Sequence, residues 1–127
     1  MLNFFLIGFS AAIGAWMRWL IGAGMLAMFP GMPLGSLVVN LLGGFFMGLS
    51  IAFLQITTNI SDEIRLIINV GFLGGLTTFS AYTADLFEFM QKGELSLALL
   101  FMIAHVIGAL VLCYAGYYCV SLSLRSF

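Results

Sequence analysis

Polar groups that can bind ions are concentrated in one stretch of an otherwise apolar chain. This stretch, Gly71 to Tyr82, has the sequence GFLGGLTTFSAY. Its glycines and its adjacent threonines weaken an α-helix, and carbonyl groups freed by a helix break can coordinate a cation. The hydroxyl groups of Thr77, Thr78 and Ser80 can donate hydrogen bonds. The ring edges of Phe79 and Tyr82 are electropositive, so an anion can approach them. The stretch therefore offers groups for ions of both signs.

The composition places this stretch in a membrane. The chain has 127 residues, of which 63% are hydrophobic and 7% are charged, and its mean hydropathy is +1.19. A soluble domain carries roughly 25% charged residues. The bilayer is therefore the expected solvent, and a multi-pass protein of the plasma (inner) membrane is predicted. The net charge is −1 and no basic cluster exists, which argues against nucleic-acid binding.

Four apolar segments divide the chain, and each is near or beyond the roughly 20 residues that span a bilayer. They cover about residues 2–28, 34–56, 64–90 and 95–124. We expect one all-α domain of four transmembrane helices over residues 1–127, with the third helix broken near its middle. The first segment has no Lys or Arg before it and no clear cleavage site, so it is expected to be a retained span.

Small residues at a spacing of four predict close helix packing in the membrane. Three such pairs occur, and they are Gly44/Gly48, Gly71/Gly75 and Ala104/Gly108. Four helices are too few to enclose much of a pore, so an oligomer is expected.

The cations give little preference for one orientation in the membrane. With four spans, Arg65 and Arg125 lie on one side, and Lys92 and Arg18 lie on or near the other. This balance gives almost no positive-inside bias. Insertion in both orientations, and pairing of opposed copies, is compatible with it.

Three polar residues inside the spans are candidates for function because such residues are costly in lipid. Arg18 either reaches the headgroups or lines an aqueous vestibule that attracts anions. Asn40 either forms a helix–helix hydrogen bond or donates N–H groups to an anion. His105 either packs between helices or faces a pore. Asp85 and Glu88 approach the end of the third span and are expected at its rim.

The sequence does not predict an enzyme. It contains no nucleophile–base pair, no cluster with metal-ligand spacing and no phosphate loop between a strand and a helix. A small four-helix multidrug exporter would need a carboxylate in a membrane span, usually in the first, and this first span carries Arg18 and no acid. A non-transporting membrane subunit would leave the helix break unexplained.

Several motifs together resemble one family. Residues 74–80, GGLTTFS, look like the third-helix signature of the Fluc (CrcB) fluoride channels. Residues 35–43, GSLVVNLLG, resemble the second-helix motif of that family, and residues 14–19, GAWMRW, resemble its first-helix arginine motif. Residues 105–108, HVIG, fit the fourth helix of some members. The similarity covers essentially the whole chain.

The resemblance implies a channel that exports fluoride passively from the microbial cytoplasm and so confers fluoride resistance. It implies a dual-topology antiparallel homodimer with two pores and a structural Na⁺ at its centre. By motif, the Na⁺ ligands are the main-chain carbonyls of Gly74 and Thr77. Asn40 corresponds to a pore-lining residue, Phe79 to the first aromatic of the pore, and Arg18 to a vestibule residue.

This sequence departs from the family pattern at two places. Tyr82 stands where the family usually has a second phenylalanine facing the pore. Ala109 and Cys113 stand on the His105 face of the fourth helix, where many members have hydroxyl groups. These positions bear on conduction rather than on the fold.

Overall fold

The computed structural model describes residues 2–57 and 60–125, with side chains to residue 122, and these residues are helical apart from short turns. Three of the spans are single helices: α1 (Leu2–Met28), α2 (Leu34–Ile56) and, at the end of the chain, α6 (Leu95–Arg125). Thr58 and Asn59, which lie between the second and third predicted segments, and the side chain of Arg125 lie outside the described part. The four long apolar helical segments predicted from the sequence are present.

The third span is a helix in four pieces. It begins with α3 (Asp62–Arg65), continues as a π-helix (Leu66–Leu73) and then as α4 (Gly74–Leu76), and it resumes as α5 (Phe79–Gln91). Between α4 and α5, Thr77 and Thr78 are extended, with φ/ψ of −79°/159° and −147°/118°. We call these two residues the break, and they confirm the predicted interruption.

The break changes the packing partners of the third span. Before it, the chain packs mainly on α1, where Gly75 lies against the backbone of Ala11. After it, α5 packs on α6, and the rings of Tyr82, Phe89 and Phe101 form a buried cluster. A continuous straight helix would carry both halves along one direction. The break therefore lets the third span pack against α1 with its first half and against α6 with its second half.

The packing of α2 on α6 depends on glycines at the predicted spacing of four. A Cβ atom on Gly44 would lie 2.5 Å from the carbonyl oxygen of Ala109, and one on Gly48 would overlap the carbonyl oxygen of Cys113. From the opposite helix, a Cβ atom on Gly108 would lie 2.7 Å from a methyl group of Leu41. These contacts confirm the predicted close approach of helices.

Gly48→Ala is expected to destabilise the protein because the added methyl group would overlap backbone, which cannot rotate away. Such overpacking typically costs about 1–3 kcal/mol, so the thermal unfolding midpoint of the purified protein should fall. Gly24→Ala is the matched control, since a Cβ atom at Gly24 of α1 meets nothing within 4 Å. Equal midpoints for the two variants would contradict the close packing of α2 on α6.

Candidate ion-binding site

The side chain of Asn40 closes the break with a pair of hydrogen bonds. Its Oδ1 accepts the N–H of Thr78 at 2.8 Å, and its Nδ2 donates to the Thr78 carbonyl oxygen at 2.8 Å. In a bilayer, an unsatisfied backbone group costs several kcal/mol. Asn40 on α2 therefore satisfies both polar groups of the most extended residue in the third span. One hydrogen on Nδ2 remains for another partner.

Thr78 also starts the helix that follows. Its Oγ1 accepts the N–H of Ala81 at 3.1 Å, as an N-cap residue does. The same oxygen lies 3.4 Å from the Ser80 hydroxyl. Thr78 is thus held from both its backbone and its side chain, which fixes where α5 begins.

The break leaves main-chain oxygens without their regular helical donors. A continuous helix would direct the Thr78 N–H to the Gly74 carbonyl, but this N–H is used by Asn40. The N–H and the Oγ1 of Thr77 both bond to the Leu73 carbonyl at 3.0 Å. Residues 2–57 and 60–125 contain no group of three or more His, Cys, Asp or Glu side chains that could hold a metal. Any cation at the break would depend on carbonyl oxygens.

A recess of about 360 Å³ opens beside the break. Most of the ion-binding side chains predicted from the sequence line it together with small and apolar residues of α2 and α6. The lining residues are Asn40, Gly43, Gly44, Met47, Thr77, Thr78, Phe79, Tyr82, His105, Val106 and Ala109. We refer to this space as the recess.

Phe79 and Tyr82 occupy different environments, although the sequence suggested one pair of similar aromatic residues. Phe79 is 79% exposed and Tyr82 is 7% exposed, and their ring centroids are 5.6 Å apart. Tyr82 lies between Phe79 and the ring of His105, whose centroid is 4.3 Å from its own. Tyr82 is therefore the inner wall of the recess and Phe79 its outer edge.

His105 is buried beside Tyr82, with 4% of its surface exposed. Its Nδ1 lies 3.0 Å from the Phe101 carbonyl oxygen, and its ring centroid is 4.4 Å from that of Phe101. Its Nε2 is the only buried side-chain nitrogen or oxygen without a hydrogen-bond partner in the described part of the chain. An unsatisfied buried polar atom costs about 1–3 kcal/mol. His105 therefore fits both roles considered for it, since it packs against neighbouring rings and also lines the recess.

Four predicted polar residues do not line the recess, and one of them, Ser80, is exposed beside Thr78. Arg18 is half-buried and forms no hydrogen bond or ion pair with other described residues. Asp85 is half-buried and accepts a hydrogen bond from Ser36 at 2.5 Å, a contact that the sequence did not suggest, although Ser36 lies in the GSLVVNLLG motif. Glu88 accepts a hydrogen bond from Lys92 at 2.6 Å, and this bond holds the pKa of Lys92 above its ordinary value.

Comparison with known proteins identifies the family. A family model described as CrcB-like protein, Camphor Resistance (CrcB), matches residues 5–117. The chain belongs to the CrcB family. It is 46% identical over 110 residues to a fluoride-specific ion channel FluC of Pseudomonas syringae pv. maculicola, with 87% of each chain covered. It is 42% identical over 120 residues to a protein of the same name from Tolumonas auensis, with 94% of each chain covered.

The CrcB assignment confirms the resemblance seen in the motifs. The named CrcB relatives are ion channels, so this family is not one of enzymes. With four candidate membrane spans, this CrcB chain is a multi-pass protein of the cell membrane. The recess and the break of this CrcB chain both lie within its spans.

Proposed function

We propose that this chain forms a fluoride-selective channel that lets the anion leave the cytoplasm by passive electrodiffusion. One observation carries the proposal: the amide of Asn40 holds the break beside a recess lined by hydrogen-bond donors and aromatic rings. The relatives named fluoride-specific ion channels support the choice of ion.

The donors of the recess match the chemistry of fluoride. Fluoride is small and strongly hydrated, so a selective path must replace its water with several donors at short range. The free hydrogen on Asn40 Nδ2 and the hydroxyl group of Thr78 are such donors, and the exposed Ser80 hydroxyl, which does not line the recess, lies 3.4 Å from that of Thr78. The rings of Phe79 and Tyr82 add electropositive edges. In this proposal Asn40 has two roles, since it both closes the break and contributes to the anion path.

The proposal includes an antiparallel homodimer with two pores. The outer edge of the recess is open in one chain, since Phe79 is 79% exposed, and a second copy would cover it. Opposed copies require insertion in both orientations, and the even distribution of cations noted in the sequence is compatible with this. Each copy then supplies one recess, which gives two fluoride paths.

We further propose that a structural Na⁺ lies at the dimer centre, bound by the main-chain carbonyls of Gly74 and Thr77 from both subunits. The residues fit this ion because the break leaves the Gly74 carbonyl without its helical donor, and irregular backbone in membrane proteins binds Na⁺ in this way. When bound, the ion would balance the dipoles of these carbonyl groups. The path of the anion depends on the side chains of the recess.

Arg18 completes the proposed path as a vestibule residue. It is half-buried and has no acidic partner in the described part of the chain, so its charge is available to attract anions. Attraction of this kind raises the local concentration of an anion and weakens with salt.

Fluoride efflux from liposomes tests the function directly. We expect purified wild-type protein to release trapped fluoride rapidly, as read by a fluoride electrode, and to retain chloride in a parallel experiment. Proton-dependent uptake of a cationic drug would instead indicate an exporter. No transport of any of these solutes would indicate a non-transporting subunit. Either of those results would refute the proposed function.

A further inference from the structure

The hydroxyl group of Tyr82 has no hydrogen-bond partner among the described residues. The residue lines the recess and is 7% exposed. In the described part of the chain, the only completely buried side-chain nitrogen or oxygen without a partner is Nε2 of His105. The Tyr82 oxygen also lacks a partner but is not among the completely buried atoms, so it keeps some accessible surface. It is therefore a free donor that a small ion can reach.

The wall that α6 contributes to the recess offers no donor of its own. It consists of His105, Val106 and Ala109. The valine and alanine side chains are apolar, and the N–H at Nδ1 of His105 is used by the Phe101 carbonyl oxygen at 3.0 Å, since a carbonyl can only accept. In the neutral ring Nε2 is a bare acceptor, and because it has no partner it does not receive the Tyr82 hydroxyl. An anion in the recess thus finds no donor on α6.

Tyr82 places a hydroxyl group beside this wall. Its ring centroid lies 4.3 Å from that of His105 and 5.6 Å from that of Phe79. The donors already assigned to the path come from other elements, since Asn40 is on α2 and Thr78 is in the break. A donor on Tyr82 allows an anion to be held between α2, the break and α5 rather than against the first two alone.

We propose that the Tyr82 hydroxyl donates a hydrogen bond to fluoride and is the donor on the α6 side of the recess. A phenol is more acidic than an aliphatic alcohol and so donates more strongly, and hydrogen bonds to ionised groups are short and strong. Coulomb attraction falls with distance, so the small fluoride ion gains more from this donor than chloride does. No proton is transferred, and the path stays passive. This inference rests on the proposed fluoride path and adds a ligand to it.

Tyr82→Phe removes the hydroxyl group and keeps the ring, so it tests the donor itself. We expect the dissociation constant of fluoride, measured by calorimetry on the intact protein, to rise about tenfold, as for the loss of one hydrogen bond to a charged group. Tyr118→Phe is the matched control, because Tyr118 is 55% exposed and does not line the recess. Its constant should equal that of the wild type. An unchanged constant in Tyr82→Phe would refute the role of the hydroxyl.

A second test keeps the hydroxyl group and changes its strength as a donor. Fluorine atoms on the ring make a phenol more acidic. Replacement of Tyr82 by monofluorotyrosine and then by difluorotyrosine should therefore lower the dissociation constant stepwise, at a pH where all three phenols stay protonated. The same replacements at Tyr118 should have no effect. A role in packing alone would not follow the acidity of the phenol, so this series decides the matter even if Tyr82→Phe is unstable.

The possible failures are distinguishable. If wild-type liposomes release fluoride but neither Tyr82→Phe nor the fluorinated series changes the affinity, the role of the Tyr82 hydroxyl is refuted and the channel stands. If wild-type liposomes release no fluoride, the channel itself is refuted, and the proposed role of Tyr82 on its path is refuted with it.

Discussion

Asn40→Asp is expected to lower fluoride flux by about 100-fold or more. The carboxylate can still accept the Thr78 N–H, but it has no hydrogen for the Thr78 carbonyl oxygen, which lies 2.8 Å from Asn40 Nδ2. It also places a negative charge on the recess. Two like charges about 4 Å apart repel by roughly 4 kcal/mol at an effective dielectric constant of 20, and this repulsion acts on the anion itself, whereas the unsatisfied Thr78 carbonyl oxygen destabilises the break. The added charge therefore has the greater effect on flux, and efflux rates from liposomes measure it.

Asn69→Asp is the matched control for this substitution. Asn69 lies in the π-helix, does not line the recess, and accepts a hydrogen bond from Ser50 at 2.7 Å. An aspartate can accept the same bond, so the new charge is the same while its position differs. We expect the Asn69 variant to keep far more flux than the Asn40 variant. Wild-type flux in Asn40→Asp would remove Asn40 from the anion path.

Phe79→Ala is expected to reduce fluoride flux about tenfold with little change in stability. The ring is 79% exposed in one chain, so its loss removes few contacts within that chain. It does remove the electropositive edge at the outer side of the recess. An interaction of about 1.4 kcal/mol corresponds to a tenfold change in rate. Efflux rates and unfolding midpoints should be measured on the same preparations.

Phe87→Ala provides the comparison, since Phe87 is on the same helix, is 59% exposed and does not line the recess. Its flux should match that of the wild type. If the two variants lose flux equally, the effect belongs to the exposed surface of α5 rather than to the recess. Such a result would place the anion path elsewhere.

The spans and the break were predictable because they depend on local composition. Segments of more than 20 apolar residues must cross a bilayer, and the glycines before Thr77 and Thr78 make that part of the third span the weakest helix in the chain. The π-helix was not predictable. Its residues, LIINVGFL, carry no local signal for a wider helix, and its form depends on how it packs against α1.

The residues of the site were predictable from the sequence, but the contacts between them were not. Asn40 and Thr78 are 38 residues apart, and the sequence left both an interhelical bond and a pore role open for Asn40. Only the fold shows that this amide bonds to the backbone of the break. The different burial of Phe79 and Tyr82 and the bare Nε2 of His105 likewise depend on where α6 lies. The Ser36–Asp85 contact joins two helices and has no local signal at all.

The π-helix before the break also determines the direction around the helix axis in which the residues after it point. Its hydrogen bonds reach one residue further back than those of an α-helix, so it holds more residues in each turn. Removal of one residue from it would turn everything that follows around the helix axis, by less than the roughly 100° that one residue of an α-helix contributes. Thr78 would then be displaced from Asn40, even with every side chain of the recess intact. The angular position of the site is thus encoded by the number of residues in Leu66–Leu73 rather than by their identity.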